Sequence, residues 1–414
     1  MDSSTPLILL SSMVLVFYVL DMLASRWRIP SVLFLIGIGI ATRQLSDWSS
    51  IQLPDPAPFL PALGLLGLGL IVLEGALELR FRPGHGRLAA QAGASAILGI
   101  AFFAIPVGVA IHQIEGCGWR QALLNAMPLA VISSAIAIPS AARLPVERRE
   151  FVAFESSLSD ILGVLAFNAL LVPHALGLST LLGMGANALV TLLLSLVVCF
   201  GLIVLLARTP HKVRFFPLLA GLILTYALGK HYHLSSLLLL LCFGLAFANL
   251  HLLPEGFARR LLVHPRLEDD THLLDTLVRE TTFLVRTLFF FAFGMSLAVG
   301  DILDPLAWGV GGALLAAIYA TRSLALLSST GAVRRDLLFI APRGLVSVLL
   351  FGGIAAADRS SLVGSGALLV VVLGSSTLQI LAGREVAESS GVVPPSLAGH
   401  FGPYRDEPRK EDSA

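Results

Sequence analysis

Charge is what this sequence has least of. Of its 414 residues only 13% are charged and 56% are hydrophobic, whereas a soluble domain carries roughly a quarter charged residues. That excludes a chain solvated chiefly by water, and with it a soluble enzyme. A net charge of +1 and the lack of any long run of one sign exclude a nucleic-acid surface and a charged interaction tail. The three cysteines, Cys117, Cys199 and Cys242, are too few and too scattered for a disulfide framework or a spaced metal-ligand set, and are read as packing residues. No nucleophile with an adjacent base can be assembled from the loops, so neither an enzyme nor a cofactor is expected. Small ions and lipid remain as partners.

What is present in excess is long apolar runs. A spanning helix needs about 20 apolar residues, and that ruler gives thirteen candidates: 6–23, 29–42, 59–79, 88–112, 121–141, 149–173, 178–207, 214–229, 233–250, 280–300, 305–329, 336–356 and 362–382. The first lacks a basic region before it and a small-residue cleavage site after it, so it is expected to be retained. With the N-terminus outside, seventeen Lys and Arg fall on inner loops, four on outer loops and four on an inner C-terminal tail. This asymmetry obeys the positive-inside rule. The expected class is an all-α polytopic membrane protein with the C-terminus cytoplasmic. Its transmembrane domain covers 1–382, and a polar tail of 383–414 is too short for a nucleotide-binding regulatory domain.

The basic residues left over are Arg286, Arg322 and Arg343, each inside a candidate span. Arginine stays charged at physiological pH and needs a carboxylate, carbonyls or a wet cavity beside it. Few carboxylates lie at that depth: Glu155 and Asp160 in the sixth candidate, with Asp21, Glu74, Glu78 and Glu280 near span ends. Arg286 and Glu280 are read as a span-end pair reaching the inner interface by snorkelling. Arg322 is too far from either end and is expected to pair inside the bundle. On a helix Glu155 lies about 140° round and about 7.5 Å along from Asp160. The two therefore face different neighbours. Glu155 is assigned to Arg322, with Arg343 as the second candidate.

Two candidates are also poor continuous helices. In the fifth, Ser133-Ser134 precede Pro139; in the twelfth, Pro342-Arg343-Gly344 stand in succession. Breaks at Ser133, Pro139, Pro342 and Gly344 would free carbonyls and half-helix ends to coordinate ions or side chains. Gly64, Gly67, Gly69 and Gly75 are read as sites of close helix approach, not as a nucleotide loop. His231 and His233 are read as ordinary interface residues. The 251–279 connection, with Leu261, Leu262, Leu267, Leu273, Leu274 and Leu277 among its charges, is expected to lie on the inner surface as an amphipathic helix.

Several stretches resemble the monovalent cation:proton antiporter superfamily, in particular its electroneutral sodium/proton exchangers. Leu70 through Leu79, containing Glu74-Gly75-Ala76-Leu77, is similar to that branch's Phe-Glu-Gly-Gly-Leu-x-Leu. Glu155-Ser156-Ser157-Leu158-Ser159-Asp160 resembles its Glu-Ser-Leu-x-Asn-Asp, and Arg343-Gly344-Leu345-Val346-Ser347 its Arg-Gly-x-x-Ser. Arg322 falls where the family keeps a basic residue. The resemblance covers roughly 30–382. Two departures stand out: Ser134-Ala135 occupies the family's Thr-Asp, and Ser159 replaces the Asn before the key Asp.

The resemblance implies inverted repeats with two crossing discontinuous helices. The first half is expected over about 29–173, linker helices over about 178–279 and the second half over about 280–382. It also implies a homodimer. Asp160, with Ser159, Ser156 and Ser134 as oxygen donors, is the expected site for Na+ or a proton, and Li+ or K+ are further candidate cargoes. Burial in low dielectric lets protonation compete with cation binding near neutral pH. With Glu155 committed to an arginine, one titrating group remains, and the exchange is expected to be one cation for one proton. A prokaryotic inner membrane is the expected location. A sodium-coupled symporter of an organic solute, and a scaffold or sensor that has lost ion binding, are the alternatives.

Overall fold

The computed structural model describes residues 5–27, 31–49, 56, 58–79, 86–171, 236–249, 267–297, 300, 304–389 and isolated helical positions between 189 and 224. Among the described residues the chain is helical, with no strand. The elements are α1 (Thr5–Trp27), α2 (Ser31–Ser49), α3 (Leu60–Glu78), α4 (Gly86–Glu115), α5 (Trp119–Ala130), α6 (Ser134–Ser140), α7 (Val146–Leu171), α8 (Ser236–Ala248), α9 (Leu267–Ser296), α10 (Pro305–Thr330), α11 (Arg335–Phe339), α12 (Leu345–Gly352) and α13 (Ser365–Ser389). In lipid an unpaired backbone group has no water to turn to, which is why apolar segments resolve into helices.

Local chemistry sets several helix ends. The Asp304 side chain accepts from Leu306 N–H at 3.0 Å and Pro305 supplies the first helical residue of α10. The same helix stops at Gly331, which takes φ +76° and returns its N–H to Leu327 O.

Four stretches among the described residues are long and apolar enough to cross a membrane: Gly86–Glu115, Trp119–Ser140, Val146–Leu171 and Pro305–Thr330. Shorter apolar stretches run Ser11–Ala24, Leu239–Ala248 and Ser365–Gln379. The candidates at 178–207 and 214–229 fall almost wholly outside the described residues, as do His231, His233, Cys199 and the tail beyond 389. One expectation changes. The leucines from Leu267 onward do not form a surface helix separate from the next span: α9 runs unbroken from Leu267 to Ser296. Nothing in that stretch breaks a helix, since it lacks both Pro and Gly until Gly294.

The helices pack as two groups. In one, α1 lies on α2, α9 lies on α2 and α3, and α8 lies on α3. Small residues carry the tightest contact: a Cβ on Gly39 would fall 2.9 Å from Gly294 Cα and clash with Phe291 O. In a bilayer such close approach is a main source of helix association, because lipid tails are as apolar as the side chains. In the other group, α4 packs on α5, α7 and α10, α13 on α10 and α11, and α12 on α5 and α7. The groups meet where α3 touches α7 and α12, and where α8 touches α7.

Candidate functional site

The centre of the second group is the place where α5 gives way to α6. Val131 and Ser133 are extended, with ψ of 130° and 115°. Extension removes the i−4 acceptors from three successive amides, and each finds another partner. Ile132 N–H donates to Ser159 Oγ at 3.0 Å, Ser133 N–H to Pro342 O at 2.9 Å, and Ser134 N–H to Asp160 Oδ2 at 2.8 Å. Ser134 Oγ donates to the same Oδ2 at 2.6 Å. The segment approaches α7 over Gly163, where a Cβ would fall 3.3 Å from Val131 Cβ.

The second break, 340–344 between α11 and α12, lies against the first. Pro342 supplies the carbonyl that accepts from Ser133, and Arg343 N–H donates to Ser375 Oγ at 2.9 Å. Gly344 permits the contact, since a Cβ there would fall 2.8 Å from Ser133 Cβ and 2.9 Å from Ile136 Cδ1. Pro139 does not mark the break. It lies inside α6, where its missing N–H removes only one bond from a short helix.

Glu155 and Asp160 diverge from α7 toward different helices. Arg322 Nη1 and Nη2 donate to Glu155 Oε1 and Oε2 at 3.1 and 3.0 Å, a bidentate pair in which the residues are 4% and 1% exposed. Ser95 Oγ donates to Glu155 Oε1 at 2.5 Å. The guanidinium also reaches α11: Nε donates to Leu337 O and Leu338 O at 2.9 and 3.0 Å, and Nη2 to Leu337 O at 2.6 Å. Glu155 thus meets Arg322 and not Arg343. Among the described residues Arg343 makes no ion pair, and its buried Nε and Nη1 have no hydrogen-bond partner.

Asp160 differs from Glu155 in having one oxygen committed and one free. Its Oδ1 is buried and accepts from none of the described residues; Ser133, Ser157 and Ser347 have buried hydroxyls in the same condition. Ser156, one turn before Asp160, donates to Val152 O within its own helix at 2.7 Å. Ser159 faces the first break through Ile132 instead of Asp160's carboxylate. Ser157 faces α3, with its Oγ 3.5 Å from where a Cβ on Gly75 would sit. Glu74, the neighbour of Gly75, is close enough for its charge to interact with Asp160 and with Arg286 and Arg279.

Sequence reasoning missed several partners. Ser95 is one small residue in an apolar helix, and the carbonyls of Leu337 and Leu338 become available only because α11 ends after Phe339. Arg286 is not joined to Glu280 by an ion pair among the described residues; instead Arg279 donates to Glu78 at 2.8 Å and to Asp275 at 3.0 Å. No group of three metal-ligating side chains occurs among the described residues.

Two helices that break opposite one another, with a buried carboxylate held at the crossing, define a membrane ion transporter. The sequence pattern of the family described as sodium/hydrogen exchanger, transmembrane, matches residues 10–384. The chain belongs to that family, and its activity is sodium/proton antiport. Its fold is similar to that of the sodium proton antiporter MjNhaP1 from Methanocaldococcus jannaschii at pH 8, with a TM-score of 0.67 and 17% identity over 94% of this chain and 97% of that one. An electron-microscopy map of the same antiporter gives a TM-score of 0.66 and 16% identity over 98% of this chain and all of the other. No curated protein matches the chain in sequence. The comparisons give no support to symport of an organic solute.

Proposed function

We propose that Asp160 is the carrier of both cargoes, binding either one sodium ion or one proton. The observation that carries this is the uneven use of its carboxylate: Oδ2 takes both the amide and the hydroxyl of Ser134, and Oδ1 takes neither. A carboxylate with this environment accepts a hard monovalent cation or a proton at the open oxygen, and the bare charge is costly to carry through low dielectric. Of the three serines near it, Ser134 is the proposed oxygen donor, with Ser159 acting by fixing the extended backbone and Ser156 held to Val152 O within α7. Li+ and K+ are further candidate cargoes. Glu155, neutralised by Arg322, stays out of the proton count.

The turnover follows from these roles. Sodium displaces the proton at one membrane face, the neutralised site passes across as the second helix group moves against the first, and a proton displaces sodium at the other face. The two inverted halves are proposed over about 29–173 and 280–382, joined by 178–279. A homodimer in a prokaryotic inner membrane, N-terminus outside and C-terminus cytoplasmic, is the proposed assembly. The test is Asp160→Asn in inverted vesicles carrying a pH-sensitive dye. Sodium-induced dequenching is expected to disappear while the variant accumulates in the membrane. Full pH-dependent exchange in that variant rejects Asp160 as the carrier.

A further inference from the structure

Two ion pairs outside the proposed site each link the segment of the first broken helix to that of the second. Arg120 is the second residue of α5 and Asp336 the second residue of α11, the first pieces of the two broken helices. Arg148 and Asp358 each follow a second piece: Arg148 is the third residue of α7, and Asp358 ends the short 3-10 turn Ala356–Asp358 that precedes α13. The pairs join these places crosswise. Arg120 Nη2 donates to Asp358 Oδ1 at 2.6 Å, and Arg148 Nη1 donates to Asp336 Oδ2.

The pairs lie at opposite ends of the crossing. Arg120 Nη1 also donates to Leu170 O, near the end of α7, whereas Arg148 stands at its start; along α7 these are separated by about 33 Å. The Arg120 end is fastened further. Asn125 Nδ2 donates to Asp358 O at 2.7 Å and its Oδ1 accepts from Ser360 N–H at 2.9 Å, while Glu115 Oε1 accepts from Ser360 Oγ, Ser361 Oγ and Leu362 N–H at 2.7 to 2.9 Å. Between the ends, a single backbone bond, Ser133 N–H to Pro342 O, joins the breaks directly.

We propose that Arg120–Asp358 and Arg148–Asp336 are positioning clamps. They hold the two broken helices in one register at both ends of their crossing, and thereby keep Ser134 against Asp160 while both halves move as one body. All four residues are partly exposed, so each pair adds little to global stability; their effect lies in the geometry at the crossing. The clamps stay closed through the transport cycle, because opening either one lets the breaks slide and withdraws the Ser134 donors from Asp160.

This rests on Asp160 as the carrier, and the experiment separates the two. Exchange is measured in vesicles for Arg148→Asp, Asp336→Arg and the double exchange of both, with Arg120→Asp and Asp358→Arg treated alike. The single reversals are expected to raise the sodium concentration for half-maximal exchange by about fivefold, with the maximal rate within about twofold, and the double exchange to restore it. Arg148→Gln and Asp336→Asn, milder changes with the same expected direction, serve where a reversal fails to accumulate. In a second measurement, with Cys117, Cys199 and Cys242 replaced, Arg148→Cys and Asp336→Cys are joined by a short bifunctional reagent; exchange is expected to persist. Unchanged sodium dependence in the single variants, no restoration in the double exchange, or arrest by the cross-link each overturns the clamps. Loss of the Asp160 assignment would show instead as exchange surviving Asp160→Asn.

Discussion

At the scale of residues, two carboxylates five positions apart on α7 illustrate how neighbours and not residue type assign a role. Every nitrogen and oxygen of the Glu155–Arg322 side chains has a partner, with Ser95 added on one side and the Leu337 and Leu338 carbonyls on the other. Such a pair is rigid, and breaking it leaves a buried charge with no counter-ion. Glu155→Gln is expected to destabilise the protein by about 3 kcal/mol or more, since Arg322 keeps its carbonyl acceptors but loses the anion. The measurement is the thermal unfolding midpoint in detergent beside sodium-dependent exchange of the fraction that folds. A clear fall in midpoint with sodium affinity held within about twofold supports a structural role. An unchanged midpoint with altered proton dependence would assign Glu155 to the transport chemistry. The helical angle between positions 155 and 160 is readable from sequence, and so is the need for an arginine partner. The partners of Asp160 are not, because two of its three neighbouring serines are taken up elsewhere, Ser156 by Val152 O and Ser159 by Ile132 N–H. Competing backbone acceptors and donors decide this, and they exist only after folding.

At the scale of elements, both breaks were legible, the first of them at Ser133 and not at Pro139. Proline at 139 is the stronger local breaker by propensity, yet it stays within α6. The chain opens at Val131 to Ser133, where three freed amides meet Ser159, Pro342 and Asp160 from two other helices. A break goes where its backbone groups can be satisfied, and in lipid that condition outweighs the loss of one helical bond. The second break is tied to glycine for a reason of space. Gly344→Ala is expected to lower the exchange rate about tenfold or more, because the added Cβ meets Ser133 Cβ and Ile136 Cδ1 inside normal contact and pushes the breaks apart. Gly352→Ala, where a Cβ would have nothing within 4 Å, is the matched control and is expected to leave the rate unchanged. Equal rates in the two variants would mean that the contact between the breaks is not needed for exchange.

At the scale of the whole molecule, the question is how many charges cross per turnover. The two helix groups meet along α3, α7, α8 and α12, so the Asp160 region lies beside the surface along which they would slide, and whatever net charge it holds moves with the second group. Glu155 and Arg322 cancel each other and on the proposed mechanism travel neutral. Glu74 sits on α3, in the first group, with Arg279 and Arg286 near it, so its charge stays with the group that does not carry the site. On the proposed mechanism Asp160 alone changes partner, and it crosses either as the acid or as the sodium pair. Arg343, which stays charged at physiological pH, crosses in both directions and cancels over a full cycle. The expected stoichiometry is therefore one sodium for one proton. In proteoliposomes with equal sodium and proton gradients imposed in opposite senses, a potential-sensitive dye is expected to stay silent, and an ionophore that clamps the potential is expected to leave the rate unchanged. A dye response that depends on sodium, with a rate that rises when the potential is clamped, would require a second titrating group, and Glu74 is the carboxylate placed to supply it.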